Sequence, residues 1–522
     1  MLLTLSALFA LAVAPSPSSP IVGRVHDPAG RPAGGVLVML RDSSGGQTHL
    51  AVTGGDGGFR FPDLAAGDLT LTATTADGRA TAHVRKVDRG AGALAVALAP
   101  AATPGRRATS AAWLARLPDG EVRRRFILDC TGCHQFDDSR ALKDGAPRAA
   151  TQWAVDVQRM LGYAGPRSSF PVISTWAEGP AAEWLGTALS KADRPEAGYS
   201  TELASNAVVT EFDFPTAGDL PHDLAVDRDG RVVVTGMFSN VMERLDPRTG
   251  AFERIEIPVP QANPRAVEID RAGDWWVLLG RPGKVGRFRP ADESWSFFDI
   301  GLYPHSIAVA DDGHVWYNGH FTRDPEQIGR ITPATGAVDV FPLAAHPTMR
   351  TVPGGPIPYE QRIGPDGRVW VSELQGNRLV AFDPASGESR AYALPTSWSG
   401  PRRFDVDREG RLWIPAYAAN LLVRLDPASG RFEEIPLPLA GATPYIARVE
   451  PGTGAVWIGT SAADAVFRYD PATGRFETYP LPSQGALIRH MAIDPVRGDV
   501  WLAYGASPSR IPARIARIRR ER

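Results

Sequence analysis

The chain has 522 residues, 43% hydrophobic and 22% charged, with a formal net charge of −2. That length accommodates about two to four domains, and the near-neutral balance excludes a general nucleic-acid binder. Gly 53 and Pro 46 favour turn-rich β architecture over a helical bundle.

Residues 1–14 are apolar and end in Ala12-Val13-Ala14, ahead of a Pro/Ser-rich stretch. The segment 1–19 resembles a secretory signal peptide, which implies export, with the periplasm as the expected location. No Lys or Arg precedes the apolar run and Pro15 would follow the cleavage point, so a short membrane anchor or a misassigned start competes. Nothing else approaches the ~20 apolar residues that span a bilayer.

Residues 20–99 read as a small β-sandwich. Alternating runs such as Ile21-Val22-Gly23-Arg24-Val25 and Val36-Leu37-Val38-Met39-Leu40 are separated by Gly/Pro/Asp turns. Asp27-Pro28-Ala29-Gly30-Arg31-Pro32 and Asp56-Gly57-Gly58-Phe59-Arg60-Phe61, with Leu64 and Gly67, resemble carboxypeptidase regulatory-like domains. The resemblance implies a transthyretin-like fold and an accessory role. His26, His49 and His83 are scattered and read as surface residues.

After a linker at 100–110, rich in Pro, Gly and Ala, the character changes. Over 111–196 helical periodicity appears at 121–128, 151–161 and 181–191, with no convincing strand. Here stand both cysteines of the chain, Cys130-Thr131-Gly132-Cys133-His134. Cys-x-x-Cys-His attaches a c-type haem: each thiol adds to a vinyl group and the imidazole becomes the proximal iron ligand. A structural zinc site would want further ligands of the same kind, and no other cysteine exists. A thioredoxin-like redox pair would want a βαβ setting, and none is readable. A helix running into the motif, and a last helix carrying Trp184, resemble a class I cytochrome c. Eleven basic and eleven acidic residues balance over the segment, so strong steering of a redox partner is not predicted.

Met160 is the only methionine in this segment and is the expected second axial ligand of one covalent haem c. The competing reading is a core stripe, since Trp153, Val157 and Met160 fall at i, i+4 and i+7 of an amphipathic helix.

Residues 207–522 repeat. A turn of the Asp-Gly-Arg-Val-Trp kind ends at Val233, Trp276, Trp316, Trp370, Trp413, Trp457 and Trp501, at intervals of 43, 40, 54, 43, 44 and 44. A second marker begins at Asp246, Asp383, Asp426 and Asp470 and ends in Gly each time. Four short strands per unit predict a seven-bladed β-propeller, and the early run 208–215 is expected to close the ring by completing the last blade. The repeat resembles virginiamycin B lyase. The whole is therefore mainly β and multidomain: sandwich, small α-helical domain, propeller.

Before each inner strand a Pro is followed by His222, Arg265, His305, Tyr359, Arg402 or Tyr445, and Arg489 holds the matching place in the last blade. Residues three or four beyond the tryptophan position return to the same face: Met237, His320, Glu373, Tyr417 and Tyr504. The two sets are expected to ring one mouth of the channel. Water-filled channels have polar walls in any case, but the arginines and histidines favour an anionic or carbonyl-bearing ligand.

The lyase resemblance implies histidine and glutamate groups with magnesium, which places His490, His305 and Glu373 as catalytic candidates. Tyr504 and Tyr445 stand where that chemistry wants a carboxylate and a histidine, so magnesium has no evident hard ligand there. The insertion 346–356 is a loop on the mouth face, with His346 and Met349 as remote candidates for iron.

The expected function is an exported mono-haem cytochrome passing electrons to or from an unidentified redox partner, with the propeller binding substrate or partner. A magnesium-dependent lyase and a non-catalytic redox-sensing protein are the alternatives.

Overall fold

A computed structural model describes residues 20–521 except 43–45, 63, 65–67, 88–91, 169–170, 192–193, 200, 321–324, 351–354 and 507–510. The expected signal peptide at 1–19 and Gly67 of the first motif lie outside the described residues.

The N-terminal unit is a sandwich of two sheets. Ile21–His26 lies between Gly58–Phe61 and Leu94–Ala97, and Leu37–Asp42 lies between Gln47–Val52 and Leu69–Thr74. Alternation decides the inner face: Ile21, Val25, Val38, Leu40, Phe59, Phe61 and Leu71 are buried together.

The C-terminal region is a propeller of seven blades of four antiparallel strands, six of them separate sheets. In the first blade the strands are Pro221–Val226, Val232–Gly236, Val241–Asp246 and Ala251–Glu256. Inner strands touch their neighbours around a closed ring, the first against Ile488–Ile493 of the last blade. The repeat motif has a local cause. Asp227 Oδ1 accepts from the backbone N–H of Asp229 and Arg231 at 2.9 and 2.8 Å, and Asp270 and Asp407 do the same in their blades. The carboxylate thus stands in for a backbone partner and fixes the hairpin. The tryptophan that follows is packed into the next blade. Trp276 meets Ile307 and Tyr317, Trp370 meets Phe404 and Ile414, and Trp501 meets Leu224 and Val232. Burying about 150–250 Å² of aromatic surface at each seam holds blade to blade.

Ala207–Asp213 closes the ring by pairing antiparallel with Arg514–Arg520, Val209 opposite Ile518. Its other edge is also taken: Val209 lies opposite Leu50 of the sandwich, so the last blade and one sandwich sheet form a single nine-stranded sheet. An edge that would invite foreign strands is thereby covered.

Between them lies a helical unit whose main helices are Glu121–Cys130, Ala150–Ala164 and Ala181–Ala188. The expectation of no strand is corrected by a two-residue bridge, Leu142–Lys143 against Ala146–Pro147. Phe126, Phe136 and Trp153 form its aromatic centre, and its core continues without a break into blades four to six through Leu128, Leu374, Tyr417 and Tyr445. No helix among the described residues is long and apolar enough to cross a membrane.

Candidate functional site

The helix Glu121–Cys130 ends at Thr131, whose hydroxyl donates to the Ile127 carbonyl at 2.8 Å and so turns the chain out of the helix. The next residues descend onto the propeller. Tyr417 Oη donates to the Thr131 carbonyl at 2.8 Å, Arg489 donates to the Cys133 carbonyl at 3.0 Å, and a Cβ on Gly132 would lie 2.5 Å from Arg402 Nη2. Gln135 follows with its amide inside the propeller, where Nε2 serves Ser461 O, Asp464 Oδ1 and Ala486 O at 2.8, 3.1 and 2.9 Å. On the other side of the helix end, the buried Asp129 carboxylate accepts from Ser174 Oγ and Gln375 Nε2 at 2.6 and 3.0 Å. Its carboxyl is pushed above its ordinary value by burial, against the pull of those two donors. The Cys-x-x-Cys-His loop is therefore gripped from the propeller on several sides.

Above the loop is a cavity of about 600 Å³. Cys130, His134 and Met160 all line it, with walls of Phe126, Phe136, Trp153, Ile173 and Leu185 and a charged rim of Arg140, Lys143, Arg148, Arg159 and Asp156, the last paired with Arg148 and Arg159 at 2.5 and 2.7 Å. His134 Nδ1 lies 3.2 Å from the Gln135 carbonyl. A carbonyl only accepts, so Nδ1 carries the proton and Nε2 keeps its lone pair. Burial lowers the His134 pKa to about 4, so the ring is neutral near neutral pH. Trp153 Nε1 is buried on this wall with no hydrogen-bond partner. Both cysteines are free thiols; burial first, then the neighbouring Asp129 charge, drives the Cys130 thiol well above its ordinary range.

His346 and Met349 are not on this wall. His346 Nε2 donates to Gly376 O at 3.1 Å and its Nδ1 accepts from Met349 N at 3.1 Å, while 351–354 of that insertion lie outside the described residues.

The residues after the inner-strand prolines do form one ring. His222 and His305 rings are 6.2 Å apart, His305 meets Tyr359 at 4.2 Å, and Arg402 Nη1 donates to Tyr359 Oη at 2.8 Å while lying over Tyr417 and Tyr445 at 4.0 and 4.5 Å. The expected open mouth is corrected, however. Every ring residue is at most 9% exposed, and the 130–135 loop covers the sector of Arg402, Tyr417 and Arg489.

Of the second set, His320 stacks on His305 at 4.3 Å and Tyr417 lies beneath Arg402, and both stand four residues past their tryptophan. Glu373 and Tyr504 stand three past theirs and do not join. Glu373 is fully buried and bound by Arg378 Nε and Nη2 at 2.5 and 2.9 Å; Tyr504 Oη donates to Glu211 at 2.5 Å. One residue along a strand changes the face.

His490 is also not a mouth residue. It sits in an ion network that fills the channel below. Arg403 pairs with Asp223 at 2.8 Å and Glu360 at 3.4 Å, Arg448 and Arg362 pair with Glu360 at 3.0 and 3.1 Å, and His490 Nε2 is 3.5 Å from Asp223. Burial holds the His490 pKa well below normal. His490, His305 and Glu373 thus have separate partners and form no shared site. Among the described residues no group of three or more His, Cys, Asp or Glu is arranged to hold a metal ion. The network was missed from sequence, although charged residues alternating along inner strands (Asp223, Glu268, Glu360, Arg362, Arg403, Arg448) were a visible signal in a region that is otherwise apolar.

The virginiamycin B lyase family model matches residues 349–518, and a carboxypeptidase regulatory-like domain model matches 20–99. Among solved structures, a streptogramin B lyase is similar at TM-score 0.53 and 21% identity, covering 61% of this chain and 100% of its own. Virginiamycin B lyase from Staphylococcus aureus is similar at 0.52 and 21%, covering 60% and 98%, as is a catalytically inactive variant of it with Quinupristin. At that identity the likeness concerns the propeller fold. No curated protein matches the chain.

Proposed function

We propose that the protein is an exported mono-haem c-type cytochrome, an electron-transfer protein whose haem-bearing unit is docked on a lyase-like propeller. The observation that carries this reading is the cavity of about 600 Å³ on which Cys130, His134 and Met160 converge. Its volume lies within the ~300–1,000 Å³ of cofactor pockets. The donor set suits the group: a neutral imidazole with a bare Nε2, a thioether, and the Cys130 thiol on the same wall, with the Cys133 thiol beside His134 in the chain. The buried Trp153 Nε1 without a partner and Lys143 on the rim suit the carboxylates that a porphyrin carries.

In this reading Cys130 and Cys133 hold the porphyrin, and His134 and Met160 are the iron ligands. Bound there, the iron supplies a one-electron couple, whose potential a thioether ligand raises. The chain's own residues do the rest. The Gln135 carbonyl fixes the His134 tautomer and ring plane. Gln135, Arg489 and Tyr417 pin the loop to the propeller, so the ligands change position little when charge changes. Phe126, Phe136, Ile173 and Leu185 exclude water from the wall.

The test is the visible spectrum of protein matured with haem-attachment machinery. A pigment that resists acidified organic solvent, absent in the Cys130→Ala/Cys133→Ala variant, is expected. The weak far-red band should vanish in Met160→Ala. A colourless mature protein overturns the proposal.

A further inference from the structure

One sector of the propeller mouth is left over by the docked loop. Of the ring's arginines, Arg402 is enclosed by tyrosines and Arg489 holds the Cys133 carbonyl, but Arg265 has neither. Arg265 is 6% exposed, lies over the Tyr303 ring at 4.6 Å, and its buried Nε has no hydrogen-bond partner. No carboxylate among the described residues pairs with it, unlike Arg403 a few residues deeper in the channel. A guanidinium buried without an anion is costly relative to a paired one.

The histidines beside it define what else the site wants. His222 Nδ1 lies 2.7 Å from the Arg265 carbonyl and 2.8 Å from Asp223 Oδ1, and His305 Nδ1 lies 2.6 Å from the Tyr359 carbonyl. Those oxygens only accept, so both Nδ1 atoms carry protons and both Nε2 atoms are acceptors that no group among the described residues uses. Burial, with the charge of Arg265 adding to it, keeps both rings neutral, His222 at about 4 and His305 well below normal. The sector thus offers a fork of cationic donors beside two neutral acceptors. A bare inorganic anion would satisfy the first and face the lone pairs of the second. A metal cation would be repelled by Arg265.

We infer that the sector formed by His222, Arg265 and His305 binds a small carboxylic acid that also carries a hydroxyl, its carboxylate on Arg265 and its O–H donated to an imidazole Nε2. The inference is independent of the haem reading, since none of these residues lines the cavity at Met160.

The probes are lactate and propionate, matched in size and charge and differing in the hydroxyl, titrated calorimetrically into the full-length mature protein at fixed ionic strength. Lactate is expected to bind saturably and at least about tenfold tighter than propionate, the size of one charge-independent hydrogen bond of about 1.4 kcal/mol. Arg265→Gln should lower lactate affinity at least tenfold. Arg265→Lys, which keeps the charge but not the fork, guards against misfolding of the first variant and should weaken lactate less. His305→Phe should bring lactate down to the propionate level. No saturable lactate binding, equal affinity for the two acids, or unchanged affinity in a folded Arg265 variant overturns the inference. So does tight Zn²⁺ or Cu²⁺ binding that His305→Phe abolishes, which would make the imidazoles a metal centre.

Discussion

Gln135→Ala should release the 130–135 loop from the propeller without unfolding either unit. The wild-type amide has two N–H groups on Nε2 and three acceptors within 3.1 Å, so two hydrogen bonds are the most that are lost at any instant. One goes to buried carbonyls and contributes about 0.5–1.5 kcal/mol; one to the Asp464 carboxylate contributes about 1.5–3 kcal/mol. The sum is about 2–4.5 kcal/mol off the free energy of undocking. Native-state hydrogen exchange should read this as roughly 30- to 2,000-fold faster exchange in the Glu121–Cys130 helix, with the second strands of the blades unchanged. Less than threefold acceleration would refute the idea that Gln135 anchors the loop.

Gly132→Ala should lower the thermal midpoint, because the added methyl meets a guanidinium that Tyr359, Tyr417 and Tyr445 hold in place; overpacking of this kind costs about 1–3 kcal/mol, and an unchanged melt would show that Arg402 swings clear. Trp370→Ala should destabilise the propeller by about 3–5 kcal/mol in urea unfolding, since it empties the seam between blades four and five. Glu211→Gln tests pH linkage: burial first raises the Glu211 pKa, against donors from Tyr504 and Ser483. The folded state then binds the proton more tightly than the unfolded one, so its contribution is largest at low pH and declines as pH rises above 4.5 and through the raised folded value. The variant should flatten the fall of the urea midpoint with pH over that window, and parallel slopes would refute the assignment.

The periodic parts of the molecule were open to reading because their causes are local. Each Asp of the Asp-x-x-Gly turn caps its own hairpin, as Asp227 does, and each tryptophan recurs at the depth where a neighbouring blade must be met. The closing strand was legible for the same reason, since an unpaired final blade demands a partner and Val209 lies in the one run that fits. The mouth was harder. His320 and Glu373 differ by a single step in their offset from the tryptophan, and only the pleat separates the one that stacks on His305 from the one tied to Arg378.

By itself, then, the order of residues determined the three kinds of unit and the blade count, because hydrogen-bonded turns and strand alternation act within a few residues of chain. Only the tertiary structure decided that the motif's loop caps the propeller, that Met160 shares its cavity, that Leu50 extends the last blade and that Arg265 is left without an anion. Those facts join residues tens to hundreds of positions apart, and burial and charge pairing at such distances are properties of the packed chain.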